Sequence, residues 1–433
     1  MERHKSNTFR SKLAAYTREL HNKYLHIILI FAIVVIFLYC INNLNNSLFT
    51  FSINSSSDIT SNIPPFTSNT RRRPAQNHSA SFDRIEKHCG NIKSIPVIQC
   101  LRYLDNNESD YILPHNSIKG VSSPPPICSR DYPPMLFHVF WQGPINDKLA
   151  FMMKSFLFSQ PLNCSILYVW LDTSYNNLYP KYDPHMRLLH RFVPTIIRFK
   201  SWNTRKQLSS ISMFSGQIDN QNSVTLSDMV RFVILYKYGG IYVDADVLLM
   251  RDMRPLYYAN FEFSYRWSYT KGYNTAILRL RRHSPTSRRI IERAIKNNMT
   301  FHPHRIMEYL STPENYTMEK IDRQLYMLPV GLFDPLWLRE DGRQIDHELI
   351  PNLTKLQDFF NPALIPGELR SNNRTQSPLD VRKPEGFFPG SFAYHWHNNW
   401  AVPIHPTSWA GVLQTAYDEF LMRLRRNLYN EYI

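Results

Sequence analysis

Residues 225–250 read TLSDMVRFVILYKYGGIYVDADVLLM and carry the strongest structural signal in the chain. The apolar spacing over 228–238 predicts a helix, and Thr225 or Ser227 can cap its first turn. Gly239 follows the helix and can adopt the left-handed conformation that ends it. The stretch therefore predicts a helix that stops at a glycine turn, followed at once by a second apolar run.

That second run, residues 241–243, predicts a buried strand with Asp244 and Asp246 at its carboxyl end. The helix runs about 16 Å one way and the strand returns about 20 Å. The start of the helix therefore lies near the end of the strand, with Asp228 in the first helical turn, where its charge suits the helix dipole. Arg231 shares the helix face of Asp228, since the two are three residues apart. Three carboxylates and one guanidinium are expected to converge on one edge of the sheet.

The acidic pair Asp244 and Asp246 is typical of a site for a hard divalent cation. Mg²⁺ and Mn²⁺ are bound through a few carboxylates together with the phosphates of a substrate. Such a cation neutralises the charge that grows on a diphosphate as it leaves. Because a bare Asp-x-Asp is common in solvated turns, the interpretation depends on its position after a helix, a glycine turn and a buried strand.

Strands and helices alternate around this block. Runs of β-forming residues at 136–141, 165–171 and 196–199 are accompanied by a helix predicted over 145–158. This alternation predicts an α/β domain built around a mostly parallel sheet. Ligands of such sheets bind beyond the carboxyl ends of the strands, which is where the acidic pair lies.

The same block resembles the sugar-binding DXD region of glycosyltransferase family 32. That family includes initiating α-1,6-mannosyltransferases and α-1,4-galactosyl- and α-1,4-N-acetylglucosaminyltransferases, with the clostridial glucosylating toxins as more distant relatives. Two further stretches, FHVFWQG at 137–143 and YHWHNNW at 394–400, resemble the first strand and the C-terminal motif of the family. The likeness within the block is carried by Ser227, Asp228, Arg231, residues 235–242 and residues 244–247.

The resemblance implies a GT-A fold, that is, a Rossmann-like nucleotide-diphospho-sugar transferase domain. It also implies a Mn²⁺-dependent (or Mg²⁺-dependent) site and transfer with retention of anomeric configuration. Asp246 would be the direct metal ligand, and Asp244 would contact the metal, a metal-bound water or the ribose. Asp228 and Arg231 would contact the donor sugar and act as the catalytic residues.

Further site residues follow from the resemblance. Trp141, Gln142 and Gly143 would line the nucleotide pocket. Asn274 falls where related enzymes place a loop that faces the donor sugar and the acceptor. Independently of the resemblance, His395 is a candidate to complete the metal shell or to contact the diphosphate, since neutral imidazole is a good ligand for this class of metal. A packed or surface histidine is the alternative.

Other polar residues have simpler interpretations. His397 shares the strand face of His395 and is expected to pack or to lie at the surface. Asp334 is expected to be a solvated loop charge, although it is also a candidate for the acceptor side. Glu340 and Asp341 are interpreted in the same way. An exposed face is expected for Arg279, Arg281 and Arg282.

The N-terminal region predicts a membrane topology. Residues 24–41 (YLHIILIFAIVVIFLYCI) are long and apolar enough to cross a thin bilayer. A cleaved signal peptide is the alternative, but no small-residue cleavage site follows. Lys and Arg are frequent in residues 1–23 and absent from 42–70, which predicts a cytosolic N-terminus. The chain is therefore expected to be a single-pass type II protein of the Golgi or endoplasmic reticulum membrane, with its catalytic domain in the lumen.

The predicted organisation is a cytosolic tail at 1–23, a signal anchor at 24–41, a stem at 42–82, a cysteine-containing lead-in at 83–130 and a catalytic domain at 131–433. The stem is rich in Asn, Ser, Thr and Pro and buries too little apolar surface to fold. Acceptor sequences for N-glycosylation occur only after the anchor, at Asn45, Asn54, Asn77, Asn107, Asn163, Asn298, Asn315, Asn352 and Asn373.

Four cysteines follow the anchor: Cys89, Cys100, Cys128 and Cys164. An oxidising lumen would give two disulfides, for which three connectivities are open, and free buried thiols are the alternative.

The formal net charge of +15 suits a phosphate-bearing partner or a membrane surface. It does not indicate nucleic acid, because no zinc-finger or RNA-binding motif accompanies the basic residues. The expected partners are a nucleotide-sugar and a glycan or glycolipid acceptor. Two other functions stay open, a catalytically inactive lumenal glycan-binding protein and a metal-dependent phosphohydrolase.

Overall fold

The computed structural model describes residues 133–173, 183–214, 223–258, 261–267, 272–311, 324–337, 353, 355–362, 387–388 and 391–424. All of them belong to one compact unit, Arg71–Ile433. The predicted anchor, stem and lead-in lie outside the described residues. Among the helices that are described, none has the length and apolarity needed to span a membrane.

The strands described are β1 Met135–Trp141, β2 Ser165–Asp172, β3 Ile197–Trp202, β4 Gly240–Val243, β5 Val247–Leu249, β6 Phe263–Arg266, β7 Tyr273–Leu280, β8 Tyr326–Leu328 and β9 Ala393–His395. Seven of them form a mixed sheet at the core of the fold, in the order β3-β2-β1-β4-β7-β6-β8, and β5 and β9 form a separate two-stranded sheet. β1 pairs in parallel with β2 and β4, and β2 pairs in parallel with β3. β7 is antiparallel to β4 and β6, and β8 runs parallel to β6.

Helices cover both faces of this sheet. Alternate residues of β1 enter different cores: Phe137 packs in the cluster that holds Phe151 and Leu413, and Phe140 packs in the cluster that holds Val230 and Ile290. The predicted α/β architecture with a parallel-rich sheet is therefore confirmed. The helices are α1 Asp147–Ser159, α2 Thr204–Ser209, α3 Ser223–Tyr238, α4 Arg254–Tyr257, α5 Pro285–Lys296, α6 Ile306–Leu310 and α7 Trp409–Glu419, with 3₁₀ turns at Leu162–Cys164, Pro184–Met186, His190–Phe192, Ser212–Phe214, Pro303–Arg305, Val330–Leu332 and Leu356–Phe359 and a π-helical turn at Phe420–Leu424.

Helix α3 begins earlier than its polar residues suggest. Thr225 and Ser227 lie inside the helix and do not cap it, and Asp228 is beyond the first turn. The helix extends because Leu226 continues its apolar face and packs in the same core cluster as Val230. The prediction that the helix dipole acts on Asp228 was therefore wrong.

The turn between α3 and β4 needs both of its glycines. Gly239 has φ +69° and its N–H donates to the carbonyl of Leu235 at 2.8 Å, so it ends the helix as predicted. Gly240 has φ +110°, and a Cβ there would lie 2.5 Å from the carbonyl oxygen of Leu136 on the neighbouring strand. Any side chain at this position would push β4 away from β1 and displace the acidic residues that follow.

A buried histidine fixes the same turn from the sheet side. His138 Nε2 lies 2.9 Å from the carbonyl oxygen of Gly239, and the indole N–H of Trp170 donates to Nδ1 at 3.2 Å. Since the indole can only donate, Nδ1 is unprotonated and the ring is neutral. Burial lowers the pKa of His138 to about 4.

This histidine is expected to make the fold sensitive to acid. An unfolded histidine takes up its proton near pH 6.5, whereas His138 in the folded chain does so only near pH 4. The unfolded state binds more protons in this interval, so stability falls by about 3 kcal/mol as the pH drops through it. Urea unfolding between pH 7.5 and 4 should show this loss. The His138→Gln variant should be less stable at pH 7.5, but its free energy of unfolding should change less with pH. An equally steep pH dependence in the variant would show that His138 is not the group responsible.

Cys164 is disulfide-bonded. The interpretation of this residue as a disulfide cysteine is therefore confirmed, and the alternative of a free thiol does not apply to it. Cys89, Cys100 and Cys128 lie outside the described residues.

Candidate active site

The acidic pair leaves the sheet at the carboxyl end of β4, as predicted. The N–H of Asp244 donates to the carbonyl of Ala276 on β7 at 2.8 Å, and the N–H of Val247 donates back to the carbonyl of Asp244 at 3.1 Å. This tight turn leads into β5, which pairs with β9 so that Val247 lies opposite His395. The pairing brings a histidine from the far end of the sequence to the acidic turn.

Arg231 joins the helix, the strand end and β7. Its Nη2 lies 3.0 Å from Asp228 Oδ1 and 3.2 Å from Asp244 Oδ1, and its Nη1 donates to Thr275 Oγ1 at 2.8 Å. The guanidinium also lies over the ring of Tyr242 at 5.2 Å. The predicted convergence of Asp228, Arg231 and Asp244 is therefore confirmed by geometry.

These charged side chains are largely buried, and each of them shifts the pKa of its neighbours. Burial raises the pKa of Asp228, against the opposing effect of Arg231. It also raises the pKa of Asp244 to about 6, again against Arg231 and with a contribution from the negative charge of Asp246. Burial disfavours the charge on Arg231, but the carboxylates of Asp244 and Asp228 outweigh it and raise the pKa of Arg231. The guanidinium is therefore a permanent positive charge at the base of the site.

Asp246 occupies a different environment, although it is only two residues away from Asp244. Its Oδ2 lies 3.2 Å from His395 Nε2 and accepts the backbone N–H of Asn398 at 2.7 Å. Burial alone would raise the pKa of Asp246, but His395 and the Asn398 hydrogen bond lower it to about 2. Burial likewise opposes the charge of His395, yet Asp246 raises the pKa of that ring to about 10. Asp246 is therefore ionised at neutral pH, as a metal ligand must be.

The spacing of the predicted metal ligands bears on whether they can hold an ion. Neighbouring ligands of an octahedral ion with bonds of about 2.1 Å lie about 3 Å apart, close to the Asp246–His395 separation of 3.2 Å. These two residues fit a divalent cation once His395 has released the proton that Asp246 stabilises, because a metal-bound imidazole is neutral. Asp244 is held by Arg231 and its side chain is 20 % exposed, which leaves it at the mouth of the site.

A second group of ligand atoms adjoins the first. One oxygen of Asp334 and one nitrogen each of His395 and His397 lie within 4.8 Å of one another. Asp334 is 1 % exposed, and its Oδ2 lies 2.6 Å from His397 Nε2 and 3.7 Å from His395 Nδ1. The expectation that Asp334 is a solvated loop charge was therefore wrong. The expectation was drawn from local sequence, which does not show that the chain after β8 turns back under the two histidines.

His397 lies with His395 for a reason other than strand alternation. β9 ends at His395, and His397 has φ +50°. The two rings nevertheless stack with centroids 3.8 Å apart. Tyr265, which sequence reasoning missed, adds a hydroxyl 3.1 Å from His395 Nδ1.

The residues predicted to line the nucleotide pocket lie at the carboxyl end of β1. Gln142 Nε2 donates to Asp172 Oδ2, at the end of β2, at 3.1 Å. The ring of Trp141 packs on Trp400 with centroids 4.9 Å apart, and Gly143 has φ +120°. Gln142 Oε1 is buried and has no hydrogen-bond partner among the described residues, so it is available to a ligand.

Two expectations about the region after residue 272 need correction. Asn274 lies on β7 and not in a loop, and its Oδ1 accepts the N–H of Ala276 at 2.9 Å. It still adjoins the site, because its neighbour Thr275 binds Arg231.

Arg279 is buried, lies over the ring of Tyr257 at 5.4 Å and does not form an exposed face. β7 is buried along its whole length because it is a central strand of the sheet.

A lysine on α1 holds the loop that follows β9. The Nζ of Lys148 donates to the carbonyls of Asn399, Trp400 and Val402, the last two at 3.0 and 2.6 Å. An ammonium has three N–H groups, and all three are used. The same loop contributes the Asn398 N–H to Asp246. Sequence reasoning missed Lys148, and the available signal was a lysine next to the apolar run Leu149–Met153 of this helix.

We expect Lys148→Met to loosen this loop. Removing the ammonium takes a donor away from three carbonyls and should lower the free energy of unfolding by about 1–3 kcal/mol. Hydrogen exchange of residues 396–402 should speed up at the same time. Lys154→Met is the matched control, because Lys154 lies on the same helix but pairs with Asp418 at 2.5 Å. If the hydrogen exchange of residues 396–402 were unchanged in Lys148→Met, Lys148 would not hold this loop.

Comparison with known proteins identifies this region. Residues 164–262 match the family described as glycosyltransferase sugar-binding region containing DXD motif. No curated protein sequence matches the chain. The match encloses α3, the glycine turn and the acidic pair, so the segment matched is the one that builds the site.

Solved structures of glycosyltransferases are also similar to this chain, at low identity. The galactosyltransferase LgtC in complex with donor and acceptor sugar analogues is 14% identical, with 66% of this chain and 96% of LgtC covered and a TM-score of 0.35. The PaToxG glycosyltransferase is 14% identical over 44% of this chain and 84% of its own, with a TM-score of 0.31. The glycosyltransferase GlyE of Streptococcus pneumoniae TIGR4 is 11% identical over 67% of this chain and 60% of its own, with a TM-score of 0.32. Because these scores are low, it is the family match that identifies the region. The chain therefore carries the sugar-binding region of a glycosyltransferase, with Asp244-Ala245-Asp246 as its DXD motif.

Proposed function

We propose that this protein transfers a hexosyl or N-acetylhexosaminyl group from a nucleotide-sugar to a hydroxyl of a glycan or glycolipid, with Mn²⁺ or Mg²⁺ as cofactor. The observation that carries this proposal is the meeting of Arg231 with Asp228 and Asp244, next to the Asp246–His395 pair. A GT-A fold and membership of glycosyltransferase family 32 are part of the proposal.

The roles of the residues follow from their surroundings. Asp246 and His395 would hold the cation, which neutralises the diphosphate as the bond to the sugar breaks. Gln142 and Trp141, at the end of β1, would bind the nucleotide. Asp228 and Asp244 would accept hydrogen bonds from sugar or ribose hydroxyls, since Arg231 fixes both carboxylates in place.

Retention of anomeric configuration is proposed with this function, together with a type II topology in the Golgi or endoplasmic reticulum. The charge difference between residues 1–23 and 42–70 supports the topology. The disulfide at Cys164 supports an oxidising compartment. Asn163 and Asn298, the two N-glycosylation acceptors among the described residues, are both exposed.

A donor panel tests the proposal. The purified full-length chain is incubated with UDP-galactose, UDP-N-acetylglucosamine, UDP-glucose or GDP-mannose, with Mn²⁺, with Mg²⁺ or after chelation. Nucleotide release that needs one donor and a divalent cation is the expected result. Donor binding without release would favour an inactive glycan-binding protein, and absence of both would overturn the proposal.

A further inference from the structure

Two tryptophans lie at the edge of the sheet that carries the acidic pair. β6 and β8 run in the same direction as β4, because β7 is antiparallel to both β4 and β6 and β8 is parallel to β6. Their carboxyl ends therefore meet the edge where Asp244 leaves β4. Trp267 follows β6 directly, and Trp337 lies nine residues beyond the end of β8, just after Asp334 and its buried turn. Both indole side chains are half-buried.

A line of aromatic rings joins these tryptophans to the site. His397 stacks on His395 at 3.8 Å, and Trp337 lies 3.9 Å from His397 between ring centroids. Trp267 meets Trp337 edge to face at 6.0 Å, and His304 stacks on Trp267 at 4.7 Å. The rings therefore form a wall that starts at the proposed metal ligand and leads away from it.

The wall lies on the opposite side of the acidic pair from the proposed nucleotide pocket. In the strand order β3-β2-β1-β4-β7-β6-β8, the acidic pair follows the middle strand β4. Gln142 and Asp172 follow β1 and β2 on one side, whereas Trp267 and Trp337 follow β6 and β8 on the other. A donor held between Gln142 and Asp246 would therefore lie across the acidic pair from the wall.

We propose that Trp267 and Trp337 form the acceptor subsite, and that it binds the apolar face of a pyranose ring. This inference rests on the proposed glycosyl transfer and specifies a saccharide acceptor.

The chemistry of the wall suits a sugar. The face of an indole is electron-rich and attracts the partly positive C–H groups on one face of a pyranose. A sugar also needs hydrogen-bonding groups at its edge. Asp334 Oδ1 is buried and has no hydrogen-bond partner among the described residues, and His397 lies between this carboxylate and Trp337. An aromatic face with a carboxylate and an imidazole at its edge can bind both parts of a pyranose.

The test separates acceptor binding from donor chemistry. The full-length chain is assayed with the donor and cation that the donor panel selects, first without acceptor and then with lactose or the methyl glycosides of galactose, glucose, mannose and N-acetylglucosamine. Trp337→Leu should raise the KM for the saccharide acceptor about tenfold. Nucleotide release to water, measured without acceptor, should fall by a smaller factor than transfer to the acceptor at low acceptor concentration. Trp337→Phe keeps an aromatic face and should recover most of the acceptor affinity.

Several results would overturn the subsite. One is an unchanged KM for the acceptor in Trp337→Leu. Another is that Trp337→Leu, while melting at the same temperature as the parent, loses nucleotide release without acceptor by the same factor as transfer to the acceptor. A serine- or threonine-containing peptide that serves as acceptor with the same dependence on Trp337 would also contradict a saccharide acceptor.

The acceptor subsite can still be tested if the parent protein releases no nucleotide. The donor proposal has then failed, and the subsite is tested alone by saturation-transfer NMR with the same methyl glycosides. Signal from the pyranose C–H protons that is lost in Trp337→Leu supports the subsite, and no signal in the parent rejects it.

Discussion

We expect Asp246→Asn to fold normally and to lose at least about 10²-fold of the cation-dependent release of nucleotide from the donor. Asparagine keeps the shape of the side chain and can still accept the N–H of Asn398, which Asp246 accepts at 2.7 Å. It removes the negative charge that a divalent cation needs. Activity should fall at every Mn²⁺ concentration, and direct titration should show weaker Mn²⁺ binding.

The control for this experiment is Asp358→Asn. Asp358 is also buried, and it accepts the N–H of Lys355 at 2.8 Å at the start of the 3₁₀ turn Leu356–Phe359. Its replacement should leave the Mn²⁺ affinity and the rate unchanged. If Asp246→Asn also kept both, the assignment of the DXD aspartate as a metal ligand would be wrong, whatever the donor.

Replacing Arg231 with methionine should produce the largest loss of stability. Arg231 faces Asp228 and Asp244 at 3.0 and 3.2 Å, and both partners are largely buried. Removing the cation leaves two carboxylates uncompensated, which should lower the free energy of unfolding by about 3–5 kcal/mol at neutral pH. Guanidinium unfolding, followed by tryptophan fluorescence, measures this loss.

The deficit should also depend on pH with a defined sign. Burial already raises the pKa of Asp228 and that of Asp244, and Arg231 opposes this rise. Without Arg231 both carboxyls hold their protons to higher pH in the folded state than in the unfolded one. Stability is therefore lost as the pH rises through the folded pKa values, and the variant should lie closer to the parent at pH 5 than at pH 8.

Arg288→Met is the matched control for Arg231→Met. Arg288 is an exposed helix residue that pairs with Glu292 one turn along at 2.8 Å. Exposed pairs of this kind contribute little, so no measurable change is expected. A stability loss in Arg231→Met no larger than in this control, or one that grows as the pH falls, would contradict the role of Arg231 in compensating the two carboxylates.

One half of the site is built from residues that lie close together in the chain, and this half could be predicted from the amino-acid sequence. Gly239 ends a helix because it can adopt a positive φ, and the apolar run behind it becomes a strand. These features follow from turn chemistry and from hydrophobic periodicity, which act over a few residues. The helix and strand lengths alone were enough to bring Asp228 and Arg231 to the acidic pair.

The other half of the site depends on contacts between distant parts of the chain, which appear only in the folded structure. The partner of Asp246 is His395, which lies about 150 residues further along the chain and reaches Asp246 through the pairing of β5 with β9. Asp334 is buried beneath His395, although its neighbours in the sequence suggest a solvated loop. Lys148 binds the carbonyls of residues 399–402 because α1 packs beneath this loop. Burial and long-range contact depend on the order of strands in the sheet and on the packing of its layers, and neither is encoded in the spacing of neighbouring residues.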